Sequence, residues 1–248
     1  MDTLGRAGRD RNRITGVGVL DRSMALLDLL ADGPRSLRSL AEASALPRPT
    51  AHRLLVALES HRLVGRDADG AFRLGPRLTE LALRAGSGLE LGTLAAGVLA
   101  RLHDQTGESV QLYLRSGDRR LCVAARDAGA GLRDSVPVGA LLPLDAGSGG
   151  KVLLAWSDDA ARFPAVPATE LAIVRRRGWA SSIAEREPGV ASVSAPVLRD
   201  GVLLGALCVS GPASRLGSSP GRRLAPLLTS AAQGLAALAG AESASRNG

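Results

Sequence analysis

The sequence predicts an α+β protein with a helical N-terminal part that ends in a β-hairpin and a C-terminal part built on an antiparallel sheet. Apolar residues recur at helical spacing up to about Gln105, and from Ser109 onward they alternate in short runs separated by turn residues, as in strands. A last stretch of helical spacing, about 219–239, closes the chain. Helices on both sides of a set of antiparallel strands are typical of the α+β class.

The composition is that of a globular protein with two domains. Hydrophobic residues make up 45% and charged residues 22% of the 248 positions, enough to build a core in each domain. Aromatic residues are only 2%, which argues against the stacking platforms that bind single-stranded nucleic acid. Because the chain has no apolar run of about 18 residues and no secretory pattern, we expect no membrane contact and a cytoplasmic location. Cys122 and Cys208 fit reduced core thiols better than a disulfide.

Three helices are predicted before residue 61. The first, about 20–31, has apolar residues at spacings of three: Met24, Leu27 and Leu30. The second begins after Ser36, a residue type that caps helices. The third tolerates Pro49 in its first turn. Its apolar residues have the spacing i, i+3, i+4, i+7 of an amphipathic helix: Ala51, Leu54, Leu55 and Leu58.

A β-hairpin and two more helices follow. The arms 63–66 and 71–74 alternate in hydrophobicity around a turn that ends in Asp69-Gly70. Gly75-Pro76 then opens a helix with an apolar stripe: Leu78, Leu81, Ala82 and Ala85. A small winged domain could not cover this stripe completely, so we expect the helix to couple the domains and the subunits. A longer helix runs from about residue 89 to Gln105.

Three helices followed by a basic hairpin form the plan of a winged helix-turn-helix, whose third helix enters the major groove of DNA. The net charge is +7, and six arginines fall between Gly33 and Arg66. Arg53 points away from the apolar stripe and is placed to reach a guanine or a phosphate, and Thr50 and the first amides of the helix suit phosphate. The predicted DNA-binding residues are Ser36, Arg38, Arg48, Pro49, Thr50, His52, Arg53, Arg66 and Arg73. The alternative is a three-helix bundle with a solvated arginine face.

The C-terminal part contains a glycine-rich turn, Gly147–Lys151, that leads into a helix. It is not a nucleotide-binding loop, because Asp145 stands where the first glycine is needed and Val152 replaces the Ser or Thr that would hold magnesium. Its amides still suit a carboxylate, which makes small organic acids the expected ligands. The sequence has no catalytic triad, no paired carboxylates and no metal-ligand spacing, so we expect no catalytic residue, no metal and no cofactor. Lys151 fits a structural anchor of the turn better than a base.

Several motifs together resemble the IclR family of bacterial regulators, over residues 17–240. They include Leu20-Asp21-Arg22-Ser23, Ser39-Leu40-Ala41-Glu42, the run from Leu46 to Leu55, Phe72-Arg73-Leu74-Gly75, Gly150–Ala155, Arg177-Gly178-Trp179 and Ser210-Gly211-Pro212. The resemblance implies a linker helix and a GAF-like effector-binding domain whose pocket lies against the sheet. Carried over position by position, it implies effector contacts at Ser148, Gly149, Gly150, Ser182, Ser192, Cys208 and Ser210. Cys208 and Ser210 are two apart on a strand and therefore face the same side.

The expected organisation is a flexible basic tail at 1–16, the winged helix-turn-helix at 17–76, the linker helix at 77–88, the effector-binding domain at 89–240 and a flexible tail at 241–248. Two positions depart from the family. Arg62 stands where glycine is usual, and a left-handed conformation there costs on the order of 1 kcal/mol. The usual Ser or Thr pair at the start of the third helix is Pro49-Thr50.

These observations predict a transcription regulator that binds a double-stranded DNA operator as a dimer or a dimer of dimers. We expect it to act as a repressor and to respond to a small organic acid or a related metabolite. Two alternatives remain open. One is an enzyme for a small metabolite with a fused DNA-binding head, and the other is a DNA-binding protein whose C-terminal domain only oligomerises.

Overall fold

The computed structural model describes residues 15–84, 89–128 and 135–246, in two compact units that comprise residues 1–87 and 88–248. Nearly all of the predicted basic tail at 1–16 lies outside the described residues. So does the end of the predicted linker helix, residues 85–88 with Ala85 of its apolar stripe.

The first unit has three helices, a two-stranded hairpin and a fourth helix. In chain order these are α1 (Gly18–Leu30), α2 (Leu37–Ser44), α3 (Arg48–Ser60), β1 (Val64–Arg66), β2 (Phe72–Leu74) and α4 (Pro76–Arg84). The hairpin is antiparallel, and its core packs Phe72 against Leu26, Leu40 and Leu55. The predicted winged helix-turn-helix is therefore confirmed. The predicted core face of α1 is right for Leu30, which is buried with Leu26 and Leu29, and for Leu27, which is partly buried against them, but it is wrong for Met24, which is 48% exposed.

The ends of α2 and α3 share a backbone motif that explains the abrupt turns after them. At the end of α3 the amide of Leu63 donates to the carbonyl of Leu58 (3.0 Å), and the amide of Arg62 donates to that of Glu59 (2.9 Å). This is the Schellman pattern, in which the first residue after the helix cap, here Arg62, has a left-handed backbone. Arg62 has φ 59°, as expected from its position, and Ala45 at the end of α2 has φ 54°.

The second unit is a six-stranded sheet with helices on both faces. Its elements are α5 (Leu89–Thr106), β3 (Ser109–Ser116), β4 (Arg119–Arg126), β5 (Leu141–Pro143), α6 (Ser148–Ala155), a short 3-10 helix (Ala160–Arg162), α7 (Ala168–Arg177), β6 (Ala180–Ile183), β7 (Val190–Arg199), β8 (Val202–Pro212), α8 (Ala213–Leu216) and α9 (Pro220–Arg246). The strand order is β5-β4-β3-β8-β7-β6, and all pairs are antiparallel. The predicted α+β class is confirmed.

The two faces of this sheet differ in chemistry. Val110, Leu112, Val193, Leu207 and Val209 point to one face, where they form a core with α5 and α9. Because side chains alternate along a strand, their neighbours point to the other face, and many of those neighbours are polar. This polar face carries Ser109, Gln111, Ser182, Ser192, Ser194, Cys208 and Ser210. Helix α6 covers part of it, and α7 packs on α6.

Several elements of the second unit were not predicted from the sequence. Helices α7 and α8, the 3-10 helix and the short edge strand β5 were missed. The tail predicted at 241–248 is wrong as far as Arg246, because α9 continues to that residue through Ala and Glu, which are good helix formers.

Residues Pro220–Ala241 of α9 are long and apolar enough to cross a membrane by length and composition alone. One face of this helix, however, belongs to the core of the unit, with Leu224, Leu228 and Leu235 buried. This is the behaviour of a core helix.

Candidate functional site

Helix α3 presents one apolar and one polar face. Ala51, Leu55 and Leu58 are buried in the first unit. The opposite face exposes four of the predicted DNA-binding residues: Arg48, Pro49, His52 and Arg53. Arg48 and Arg53 form no ion pair or hydrogen bond with the residues that the structure describes. Both guanidinium groups are thus available to an external anion.

The start of α3 is less suited to phosphate than the sequence indicates. Pro49 has no amide hydrogen, and the amide of Thr50 donates to the carbonyl of Pro47 (2.9 Å). The prediction that the first amides of this helix are free is therefore wrong for Thr50, because a one-turn bond inside the helix uses its amide. The Thr50 side chain remains half-buried at the edge of the exposed face.

The other predicted DNA contacts have partners within the unit. Ser36 caps α2 and accepts from the amide of Ser39 (3.2 Å). Arg38 pairs with Glu42 (2.9 Å) one turn further along α2. In the hairpin, Arg66 pairs with Glu59 (3.0 Å) and stacks on Phe72, while Arg73 donates to the carbonyl of Arg66 (3.3 Å). All four side chains are solvent-exposed, and exposed pairs of this kind exchange readily for a phosphate.

The second unit contains a cavity of about 20 Å³ on the polar face of the sheet. Five of the predicted effector residues line it: Gly149, Ser182, Ser192, Cys208 and Ser210. Ser148 and Gly150 do not. A Cβ atom on Gly150 would lie 2.0 Å from the carbonyl oxygen of Leu144, so this glycine permits close packing of the turn. A volume of this size holds about one water molecule.

Four serine hydroxyls form a buried network behind the cavity. The hydroxyl of Ser148 lies 2.7 Å from those of Ser192 and Ser194, and Ser182 lies 2.9 Å from Ser192. The amide of Ser148 donates to the hydroxyl of Ser182 (3.2 Å). The network ties the start of α6 to β6 and β7, and it satisfies hydroxyls that burial would otherwise make costly.

The glycine-rich turn is occupied by the protein's own groups. The amide of Gly147 donates to the carboxylate of Glu185 (3.1 Å), and Lys151 Nζ contacts Glu185 (2.5 Å) and Glu170 (2.7 Å). The expectation of free amides in this turn is therefore wrong for Gly147 and Ser148. The contacts of Lys151 are those of a structural anchor that joins α6 to α7 and to the segment after β6.

Sequence reasoning missed five residues that line the cavity, namely Tyr113, Arg120, Arg186, Glu187 and Val190. The ring of Tyr113 lines it and passes within 3.1 Å of the position that a Cβ atom on Gly149 would take. Arg120 is 3% exposed, stacks on Tyr113 and donates to the carbonyls of Pro143 (2.6 Å) and Ala146 (2.5 Å). The cavity wall therefore contains an aromatic ring and a buried cation. The alternation of β3 and β4 could have placed Tyr113 and Arg120 on the polar face.

The two cysteines are buried, which confirms the prediction that both belong to the core. Burial is the main cause that raises the pKa of the Cys122 thiol to about 12. Cys122 is therefore a neutral core residue, whereas Cys208 reaches the cavity wall beside Ser210.

The chain matches two family models that together span most of its length. The IclR helix-turn-helix domain matches residues 19–68, and the bacterial transcriptional regulator IclR C-terminal domain matches residues 83–165 and 164–237. The chain is similar to the HTH-type transcriptional regulator BhcR of Paracoccus denitrificans (29% identity; 85% of this chain and 86% of the relative). It is also similar to the glycerol operon regulatory protein of Streptomyces griseus (32% identity; 79% and 85%).

A similar solved structure is an IclR homologue from Microbacterium hydrocarbonoxydans in complex with 4-hydroxybenzoate. It has a TM-score of 0.75 and 25% identity, and the similarity covers 88% of this chain and 98% of that one. The helix-turn-helix unit, the antiparallel sheet and these matches lead to one conclusion: the chain belongs to the IclR family of bacterial transcriptional regulators, with a helix-turn-helix DNA-binding domain and an IclR C-terminal domain.

Proposed function

We propose that this regulator binds a double-stranded DNA operator through α3 and that a small organic acid, bound on the polar face of the C-terminal sheet, changes its affinity for that operator. The observation that carries the proposal is the exposed face of α3, where Arg48 and Arg53 have no partner among the described residues. Arginine can donate two hydrogen bonds to a guanine edge or bind a phosphate, and a guanidinium without an internal partner does so without first breaking a contact.

Three observations support an acid as the effector. Arg120 supplies a buried positive charge to the cavity wall, and Ser182, Ser192 and Ser210 supply hydroxyl groups. The related structure from Microbacterium hydrocarbonoxydans holds 4-hydroxybenzoate, a small acid. Because the cavity of about 20 Å³ is smaller than any such acid, binding requires its wall at Arg186, Glu187 and Val190 to move.

A dimer or a dimer of dimers is part of the same proposal. Helix α1 and the residue before it expose Val17, Val19, Leu20 and Met24, each about half exposed, and Leu81 on α4 is exposed as well. Contacts between copies of the chain would remove this apolar surface from water. The proposal also includes a cytoplasmic location and no catalytic role, in line with relatives that are named transcriptional regulators.

The DNA-binding part is tested by Arg53→Ala in a gel-shift titration against the operator. We expect a loss of about 1–3 kcal/mol in binding free energy, with relaxed specificity at one base pair if Arg53 reads a base. Arg222→Ala is the matched control, because Arg222 is an exposed arginine on α9 of the second unit. Equal affinity of the Arg53 variant and the wild type would remove Arg53 from the interface.

The effector part is tested by Ser210→Leu, which fills the cavity with a larger apolar side chain and keeps strand β8. We expect the variant to bind the operator as the wild type does without an acid and to lose the response to acids that shift the wild type. The response depends on the difference in ligand affinity between the two states of the protein. A full response in the variant would show that the acid binds elsewhere.

A further inference from the structure

Gln111 is a buried polar residue of the polar face, beside the serine network. It lies on β3 directly opposite Cys208 of β8, and it is fully buried. Its Oε1 atom accepts a hydrogen bond from the hydroxyl of Ser210 (3.1 Å). Cys208 and Ser210 both line the cavity, and Gln111 lies directly behind them, in contact with the cavity wall through Ser210.

The amide nitrogen of this side chain is not used inside the protein. Gln111 Nε2 is buried and has no hydrogen-bond partner among the residues that the structure describes. Buried donors without an acceptor are uncommon and costly, and the great majority in folded proteins are paired. The nearby Ser109 hydroxyl does not accept a hydrogen bond from Gln111; it accepts one from the amide of Ala128 (3.0 Å). Because this unpartnered donor lies beside a cavity, we expect a bound ligand to supply the acceptor for Gln111 Nε2.

The position of Gln111 relative to the Arg120 guanidinium defines which part of a ligand Gln111 would contact. Arg120 lies over the ring of Tyr113, with its guanidinium carbon 5.2 Å from the ring centre. Gln111 lies two residues from Tyr113 on the same strand, about 6.6 Å of strand length away. If the carboxylate of an acid lies beside Arg120, a second oxygen of the same acid can accept a hydrogen bond from the amide of Gln111.

We propose that Gln111 determines the specificity of the effector site: its Nε2 donates to a hydroxyl or keto oxygen of a small acid whose carboxylate lies beside Arg120. This inference rests on the proposed function, because it assumes that an acid binds on the polar face. It narrows the effector class from organic acids in general to hydroxy- and oxo-carboxylic acids.

The test compares acids that differ by one oxygen, with the full chain and isothermal titration calorimetry. The probes are 4-hydroxybenzoate with benzoate, and lactate with propionate. We expect the wild type to bind at least one hydroxy acid about five- to tenfold more tightly than its deoxy partner, the value of one neutral hydrogen bond. Gln111→Met keeps the length of the side chain and removes the donor, so it should bind both acids of that pair equally.

Two controls separate a lost hydrogen bond from a disturbed fold. Ser109→Ala alters a buried polar residue of the same strand and face, two positions from Gln111, and should keep the preference for the hydroxy acid. Thermal melting of Gln111→Met should show a cooperative transition, and if it does not, Gln111→Leu replaces it in the same titrations.

The outcomes distinguish the two proposals. If the wild type binds both members of each pair equally, or if the Gln111 variants keep the preference, the acid site stands and the role of Gln111 is wrong. If none of the four acids binds the wild type, the proposed effector class is wrong and the role of Gln111 falls with it.

Discussion

Replacing Arg62 by glycine should stabilise the first unit, because Arg62 occupies a position that favours glycine for backbone reasons alone. Its φ of 59° lies in the left-handed region, and two backbone hydrogen bonds of the Schellman turn hold it there. For a residue with a Cβ atom this conformation costs roughly 1–2 kcal/mol. Glycine avoids that cost but loses more backbone entropy on folding, by about 0.4–1 kcal/mol. The difference favours glycine by about 1 kcal/mol.

The side chain of Arg62 complicates a direct comparison with the wild type. It forms an exposed ion pair with Glu80, which also pairs with Arg77 (2.9 Å). The hydrogen bond from Arg77 is the largest of the effects that lower the pKa of Glu80. The Glu80 carboxylate therefore keeps this partner when Arg62 is replaced. Arg62→Ala removes the same ion pair and keeps the left-handed strain. The backbone effect is therefore the difference between Arg62→Gly and Arg62→Ala.

The assay is thermal and urea unfolding of the full chain, followed by calorimetry and circular dichroism. A difference of about 1 kcal/mol between the two variants corresponds to about 2–8 °C in Tm, with the larger shift if the first unit unfolds separately. Operator binding should be the same for both variants, since Arg62 lies outside the exposed face of α3. The reasoning would be refuted if Arg62→Gly were no more stable than Arg62→Ala.

Three further perturbations have expected outcomes of their own. Ala45→Gly should stabilise the turn between α2 and α3 by up to about 1 kcal/mol in urea unfolding, because Ala45 also has a left-handed φ of 54°, and a destabilised variant would contradict this. Operator affinity should fall steeply with salt, and replacing both Arg48 and Arg53 by Ala should reduce the slope of log affinity against log salt by about 1 for each arginine that binds a phosphate; a flat dependence in the wild type would count against the interface. The Cys122 thiol, with a pKa of about 12 in the folded state against roughly 8.5 in an unfolded chain, contributes stability that is complete below about pH 8.5 and is lost as pH rises toward 12. Urea unfolding at about pH 8 and pH 10 should therefore show a smaller loss for Cys122→Ala than for the wild type, and equal losses would show that the thiol ionises normally.

The first unit could be predicted closely because its signals are local. The stripe Ala51, Leu55 and Leu58 fixes the inward face of α3, and Asp69-Gly70 fixes the hairpin turn, where Asp67 Oδ1 accepts from the amide of Ala71 (2.8 Å). The left-handed backbone at Arg62 was also predictable, because a family that favours glycine there indicates the conformation. The error at Met24 arose where α1 is apolar on more than one face, so that periodicity alone could not choose between two stripes.

The second unit was predicted less well because its site depends on contacts between distant parts of the chain. The alternation of β8 correctly placed Cys208 and Ser210 on one face. The groups that fill that face come from elsewhere: Glu185 reaches the amide of Gly147, and Arg120 reaches the carbonyl of Ala146. Helix α7 was missed because only Leu171 and Val174 of its residues are buried, too few to establish a helical period.

These distant contacts also change what an effector would have to do. In the sequence, the turn before α6 is an open anion site, whereas in the structure the Glu185 carboxylate accepts from Gly147 and Lys151. An acid that bound this turn would have to displace Glu185, and an acid that bound beside Arg120 would have to move the adjoining Arg186 and Glu187. In both cases ligand affinity is reduced by the free energy of breaking internal contacts of the segment after β6. The ligand is coupled to the conformation of the protein because it binds only after these contacts break, and the resulting difference in affinity between the two states sets how far the equilibrium shifts.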